Sequence, residues 1–217
     1  MTEDWIWDLA IRYVGLVIFL TFHELGHAWM AWKCGDTTAK DLGRVSLNPF
    51  VHIDPIGTVV LPLVSMFMAQ SGSSLAGFMI GWAKPVPFNP ANLKNPRTDD
   101  ILISMAGPWM NLILAVILLG IARVLYMVDA PSIVPLCKSY AVLNLGLCFF
   151  NLIPIPPLDG SHVLRVLIGM SRETYARLAQ FGFIAVIIVV NLPVVNNGLR
   201  SVVVGAFGII AGWFNLF

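Results

Sequence analysis

The chain has 217 residues, of which 58% are hydrophobic and 12% charged, with a formal net charge of +1 and a mean hydropathy of +0.81. These values exclude an ordinary soluble domain and define a polytopic membrane protein, and the near-neutral charge leaves no electrostatic case for nucleic acid. Three cysteines (Cys34, Cys137 and Cys148) stand at no metal-binding or disulfide spacing, which excludes a disulfide scaffold.

The N-terminal stretch Met1-Thr2-Glu3-Asp4-Trp5 is acidic and lacks the basic segment of a cleavable signal peptide, so the first span is expected to act as its own insertion signal. That span is the apolar run from Leu9 to Trp32, and inside it lies His23-Glu24-Leu25-Gly26-His27. On a helix, residues i and i+4 lie one above the other, so both imidazoles can face one metal ion while Glu24 borders the same face. With four histidines in the chain, random placement gives this pattern about once in a thousand such chains, and the pattern is that of zinc metallopeptidases. Each charged residue at the centre of a spanning helix also costs roughly 2.5–3.5 kcal/mol on insertion scales, so such groups mark function. A buried polar cluster between helices and the proton relay of a transporter remain the competing explanations.

From Thr37 to Asp54 the chain is polar and broken, and the alternation around Ser46 leaves room for a short β-strand near residues 44–48. Ile56 to Ala69 is apolar but interrupted by Gly57 and Pro62; Ser71 to Ser74 reads as a turn, and Leu75 to Trp82 is apolar again. The run Lys84 to Pro90 contains three prolines and excludes helix. Ile101 to Val128 and Tyr140 to Ile155 are the next apolar runs, and Ser161 to Gly169 reads as a short helix. Ser171 is a candidate N-cap, and Leu178–Val195 and Leu199–Phe217 read as two helices around an Asn196-Asn197-Gly198 turn. The expected fold is therefore all-α and polytopic, with about five spanning helices plus a re-entrant or hairpin element between residues 56 and 82. It is expected to form one membrane-embedded domain over 1–217, with a core at 9–165 and C-terminal helices at 178–217. Nine of the thirteen Lys and Arg residues fall on one side if that element returns to the side it left. The positive-inside rule then places the N-terminus outside, the C-terminus in the cytoplasm, and the protein in the cell (inner) membrane.

Four motifs together resemble the site-2 protease family of intramembrane zinc metalloproteases: His23-Glu24-Leu25-Gly26-His27, Gly107-Pro108-Trp109-Met110-Asn111, Asn151-Leu152-Ile153-Pro154 and Leu158-Asp159-Gly160. The likeness is to the compact bacterial branch, without the PDZ domain that some relatives insert. It implies one Zn²⁺ per chain held by His23, His27 and Asp159, with Glu24 as general base and the fourth metal position left for water. It also implies that Asn111 and Asn151 line the site, bonding the substrate backbone or the developing oxyanion, although interhelical hydrogen bonding is an equal alternative for each. His52, Asp54 and His162 are expected around the metal ligands or at the entrance, which would open to the cytoplasm. The implied partners are the bilayer and a transmembrane protein substrate; the sequence does not select the substrate or the oligomeric state. Among rival enzymes, a membrane di-iron site would need about twice the four histidines present. A transporter would explain the intramembrane charges but not the Leu-Asp-Gly or Gly-Pro-x-x-Asn runs.

Overall fold

The computed structural model describes residues 4–64 and 81–216. The expected turn at Ser71–Ser74 and nearly all of the arm Leu75–Trp82 lie outside the described residues. The chain divides into two compact units, Met1–Leu93 and Lys94–Phe217. Among the described residues, four helices are long and apolar enough to cross a membrane, or five if a pair bent by 62° counts as one span. The protein is an all-α, multi-pass membrane protein.

The first unit is built on α1 (Asp4–Lys33), about 45 Å long at 1.5 Å per residue, longer than the ~30 Å hydrocarbon core. Ile6, Trp7, Ile11, Val14, Ile18 and Trp29 are exposed, while Leu16, Phe19, Leu20, Ala28 and Ala31 are buried beside the polar residues. Apolar groups outward and ionisable groups inward is the arrangement lipid demands of a functional span. The helix stops at Gly35, whose φ of 108° suits a residue without a Cβ. Lys33 and Lys40 both lie over the ring of Trp32, basic side chains against an aromatic at the membrane boundary.

Beyond α2 (Thr38–Asp41), side chains rather than backbone ladders hold the loops. Asp36, fully buried, accepts from Thr38 N–H (3.1 Å), Thr38 Oγ1 (2.6 Å), Asn89 N–H (2.6 Å) and Asn92 Nδ2 (2.9 Å). It thereby ties the end of α1 to residues 89–92. Residues 44–48 form no strand. Asn48 N–H donates instead to Ser46 Oγ, and the Asn48 side chain caps the single 3-10 turn Pro49–Val51. Local side-chain bonds have satisfied the backbone that a strand would have needed a neighbour to satisfy. Helix α3 (Pro55–Val64) opens as a π-helix over Pro55–Val60. A Cβ on Gly57 would meet the Trp82 indole at 2.4 Å, so the missing side chain is what admits the indole.

The second unit centres on α4 (Pro96–Met127). Its buried line runs Asp100, Ser104, Gly107, Pro108, Asn111, Ala115, Leu119, Ala122, and its opposite face exposes Leu102, Trp109, Ile113, Ile117 and Ile121. Small residues along that line let α5 (Val134–Asn151) and α6 (Asp159–Leu167) pack closely on it. Helix α5 ends at Asn151 rather than running on to Ile155, because Pro154 disfavours helical conformation in the residue before it. Asn144 donates to Tyr140 O within α5 (2.9 Å). Helix α7 (Arg172–Ala179) starts at Ser171, whose Oγ accepts from Thr174 N–H as an N-cap should. Helices α8 (Gly182–Val190) and α9 (Pro193–Trp213) close the unit. The break between them falls at Asn191–Leu192, not at Asn196-Asn197-Gly198, which lies inside α9. Proline at the first helical position sets the start of α9 more strongly than the Asn-Asn-Gly run breaks it.

Candidate metal centre

Within α1, His23, Glu24 and His27 retain only 4%, 8% and 8% of their surface exposed. The helix places the two imidazoles on successive turns with their Nε2 atoms 3.1 Å apart, ring centroids 4.7 Å apart and planes at 80°. Two nitrogens at Zn–N distances of ~2.0–2.1 Å and that separation subtend about 100° at the ion, near the tetrahedral angle. The pair therefore fits one zinc ion with no change of rotamer. The neighbouring Thr21 hydroxyl is bonded to Val17 O (2.8 Å) and is not part of the donor set. At 1.5 Å per residue, His27 and His23 lie about 9 and 15 Å along the helix from Lys33.

Arg44, close enough to feel the charge of Glu24, carries no motif that would single it out. It is buried, and its guanidinium donates to the carbonyls of Lys84 and Pro85, pinning that proline-rich stretch. Burial holds its pKa below the usual value, opposed only in part by the field of the Glu24 carboxylate; a guanidinium stays charged regardless. His52 is also buried, with Nε2 bonded to Ser46 O (2.9 Å), and its own carbonyl accepts from Lys84 N–H (2.8 Å). Burial holds its pKa below the usual value, opposed by the Ser46 carbonyl and reinforced by Arg44. Asp54 caps α3, accepting from Ile56 N–H (3.0 Å) and Gly57 N–H (2.7 Å).

In the second unit, Asp159 is the first residue of α6. A Cβ on Gly160 would come within 2.2 Å of Leu152 O, so only glycine lets the start of α6 seat against the end of α5. Asn111 is fully buried on α4, and Asn151 donates from Nδ2 to Leu147 O (2.9 Å) in the last turn of α5. His162, one turn after Asp159, has Nδ1 3.4 Å from Asp100 Oδ1. Asp100 and Arg165, which form a buried ion pair, were not legible as partners: they are 65 positions apart.

The sequence matches the profile of peptidase family M50 over residues 11–130 and 127–192. The chain belongs to that family, the site-2 proteases, and is a zinc-dependent peptidase. It is 37% identical over 206 residues to the "Putative zinc metalloprotease YwhC" of Bacillus subtilis, covering 87% of each chain. It is 31% identical over 217 residues to the "Putative zinc metalloprotease Rip2" of Mycolicibacterium smegmatis, covering 89% of this chain and 75% of the relative. The protein of the same name from Mycobacterium tuberculosis is 31% identical over 199 residues, with 89% and 71% covered. No solved structure matches the chain.

Proposed function

We propose that the protein is an intramembrane endopeptidase that hydrolyses peptide bonds within the transmembrane segments of other membrane proteins, as in regulated intramembrane proteolysis. The observation that carries this is the convergence of two buried imidazoles at metal-sharing distance on an apolar, membrane-length helix. A soluble peptidase has no need to place its metal ligands at that depth. His23 and His27 supply two ligands, and Asp159, from the Leu-Asp-Gly motif, supplies the third. Asp159 follows an apolar span with no Lys or Arg among the twenty residues before it, and a bound cation compensates its charge.

When bound, the zinc supplies Lewis acidity to the scissile carbonyl and to the attacking water. Glu24, on the helical turn of the two ligands, takes the proton from that water and returns it to the leaving amine nitrogen. Asn111 and Asn151 hold the unwound substrate backbone or donate to the oxygen that becomes negative. The break at residues 152–158 gives an unwound substrate somewhere to lie, since irregular backbone at membrane depth must be satisfied by protein or a water-filled cavity. Water and product exchange with the cytoplasm, on the side of Lys33.

The test is cleavage of a model transmembrane substrate by purified protein in liposomes. Glu24→Gln should abolish cleavage while keeping about one zinc per chain, and His23→Ala should lose both. Retained processing in Glu24→Gln, or equal zinc loss in the two variants, would refute the division of roles.

A further inference from the structure

The second unit contains a polar node for which peptide hydrolysis has no direct use. Asp100 on α4 is fully buried. Arg165 of α6 donates to its Oδ2, His162 Nδ1 lies 3.4 Å from its Oδ1, and Arg172 of α7 approaches to 3.7 Å. Tyr175 closes the node: its hydroxyl is 2.9 Å from Ser161 Oγ, and its ring lies 4.7 Å from the His162 ring and 5.8 Å from the Arg165 guanidinium. Two helices, α6 and α7, thus converge on one carboxylate of a third, α4. A buried ion pair is often no more stabilising than apolar side chains of the same volume, so stability alone is a poor reason for it. Directionality is a better one.

We propose that Asp100 is a positioning residue for the metal site: it sets the rotation of α6 about its own axis and thereby aims Asp159. The proposal rests on Asp159 being a zinc ligand. Helix α6 has only nine residues and is fixed at two points. The contact of Gly160 with Leu152 O sets how closely its first turn approaches α5. The grip of Asp100 on His162 and Arg165, one and two turns further on, sets its azimuth. A side-chain atom about 5.5 Å from a helix axis moves ~0.2 Å for every 2° of rotation, and ~0.2 Å is the tolerance of a metal–ligand distance. An ion pair with a defined donor and acceptor adds a directional constraint on that rotation which apolar packing lacks.

The experiment uses the full-length protein in detergent or nanodiscs, with bound zinc measured against increasing chelator and folding followed by circular dichroism. Asp100→Asn should release zinc at about 10–100-fold lower chelator strength than the parent, the range for residues that orient a ligand, and Arg165→Lys should fall between the two. The paired variant Asp100→Asn/Arg165→Met removes both charges; it should regain the parent's thermal stability yet still hold zinc weakly. Parent-like zinc retention in Asp100→Asn, or in the paired variant if the single one fails to fold, overturns the proposal, because the node would then serve stability only. Asp159→Ala in the same titration separates the two levels. Loss of zinc there with none in Asp100→Asn refutes positioning alone, and retention of zinc in Asp159→Ala refutes the ligand assignment along with it.

Discussion

At the scale of single residues, the protein uses buried charge in two ways. His23, Glu24 and His27 are ionisable groups buried on a helix whose other face exposes apolar side chains, the burial that the proposed metal site would explain. Asp36 is a different case, a carboxylate saturated by four hydrogen bonds from three residues. Burial raises its pKa, but the bonds from Thr38, Asn92 and Asn89 outweigh that and leave it below the usual 3.8. Its folded pKa being depressed, Asp36 contributes stability that is complete above pH ~4 and is lost as pH falls through the lower folded value. Asp36→Asn should therefore speed amide exchange at Asn89 and Thr38 at pH 7, with a cost of about 1–3 kcal/mol for a charged acceptor. The gap to the parent should close as both are acidified. His52 behaves with the same sign for a different reason. Burial depresses its pKa, so its loop loses stability as pH falls below about 6.5, when the unfolded imidazole takes up a proton first. His52→Gln should flatten the loop's exchange rate between pH 7 and 5, with zinc still bound.

At the scale of elements, close approach is bought with glycine. Gly160 sits where any Cβ would strike the backbone carbonyl of Leu152 at 2.2 Å, and a carbonyl cannot step aside as a side chain can. Gly160→Ala should displace the start of α6, destabilise by about 1–3 kcal/mol as overpacked sites do, and lower zinc retention and proteolysis together. Gly57→Ala meets the Trp82 indole instead. A side chain can rotate, so that variant should keep its zinc and lose mainly the order of the segment around Trp82, read as increased tryptophan quenching. Equal zinc loss in the two glycine variants would contradict this ranking.

At the scale of the whole molecule, the count of charged residues argues for topology. Lys33, Lys84, Lys94 and Arg97 share a side in the scheme with an outer N-terminus, whereas the loop at Ser132 lies opposite. The spans fit that scheme if the bent pair Arg172–Ala179 and Gly182–Val190 crosses once. A cysteine introduced near Lys94 in a background lacking the native cysteines should react with an impermeant maleimide only from the cytoplasmic face, and one near Ser132 only from outside. The reverse labelling would invert the topology and the route of water to the zinc.

The sequence by itself determined the family, the metal and the helical, membrane-spanning class, because these rest on short-range facts: an i, i+4 histidine spacing, a glutamate beside it, and apolar runs of bilayer length. Ser171 as a cap was legible for the same reason, requiring only its immediate neighbours. Where local signals competed, reading failed. The alternation at residues 44–48 lost to the Ser46 and Asn48 side chains, and the Asn196-Asn197-Gly198 turn lost to Pro193 three residues upstream. Only the tertiary structure decided which buried charges meet. Asp100 with Arg165, Asp36 with Asn89, and Arg44 with the Lys84 carbonyl are separated by 65, 53 and 40 positions. No periodicity or composition pairs residues so far apart, because the need for a partner arises only once packing has taken each group out of water.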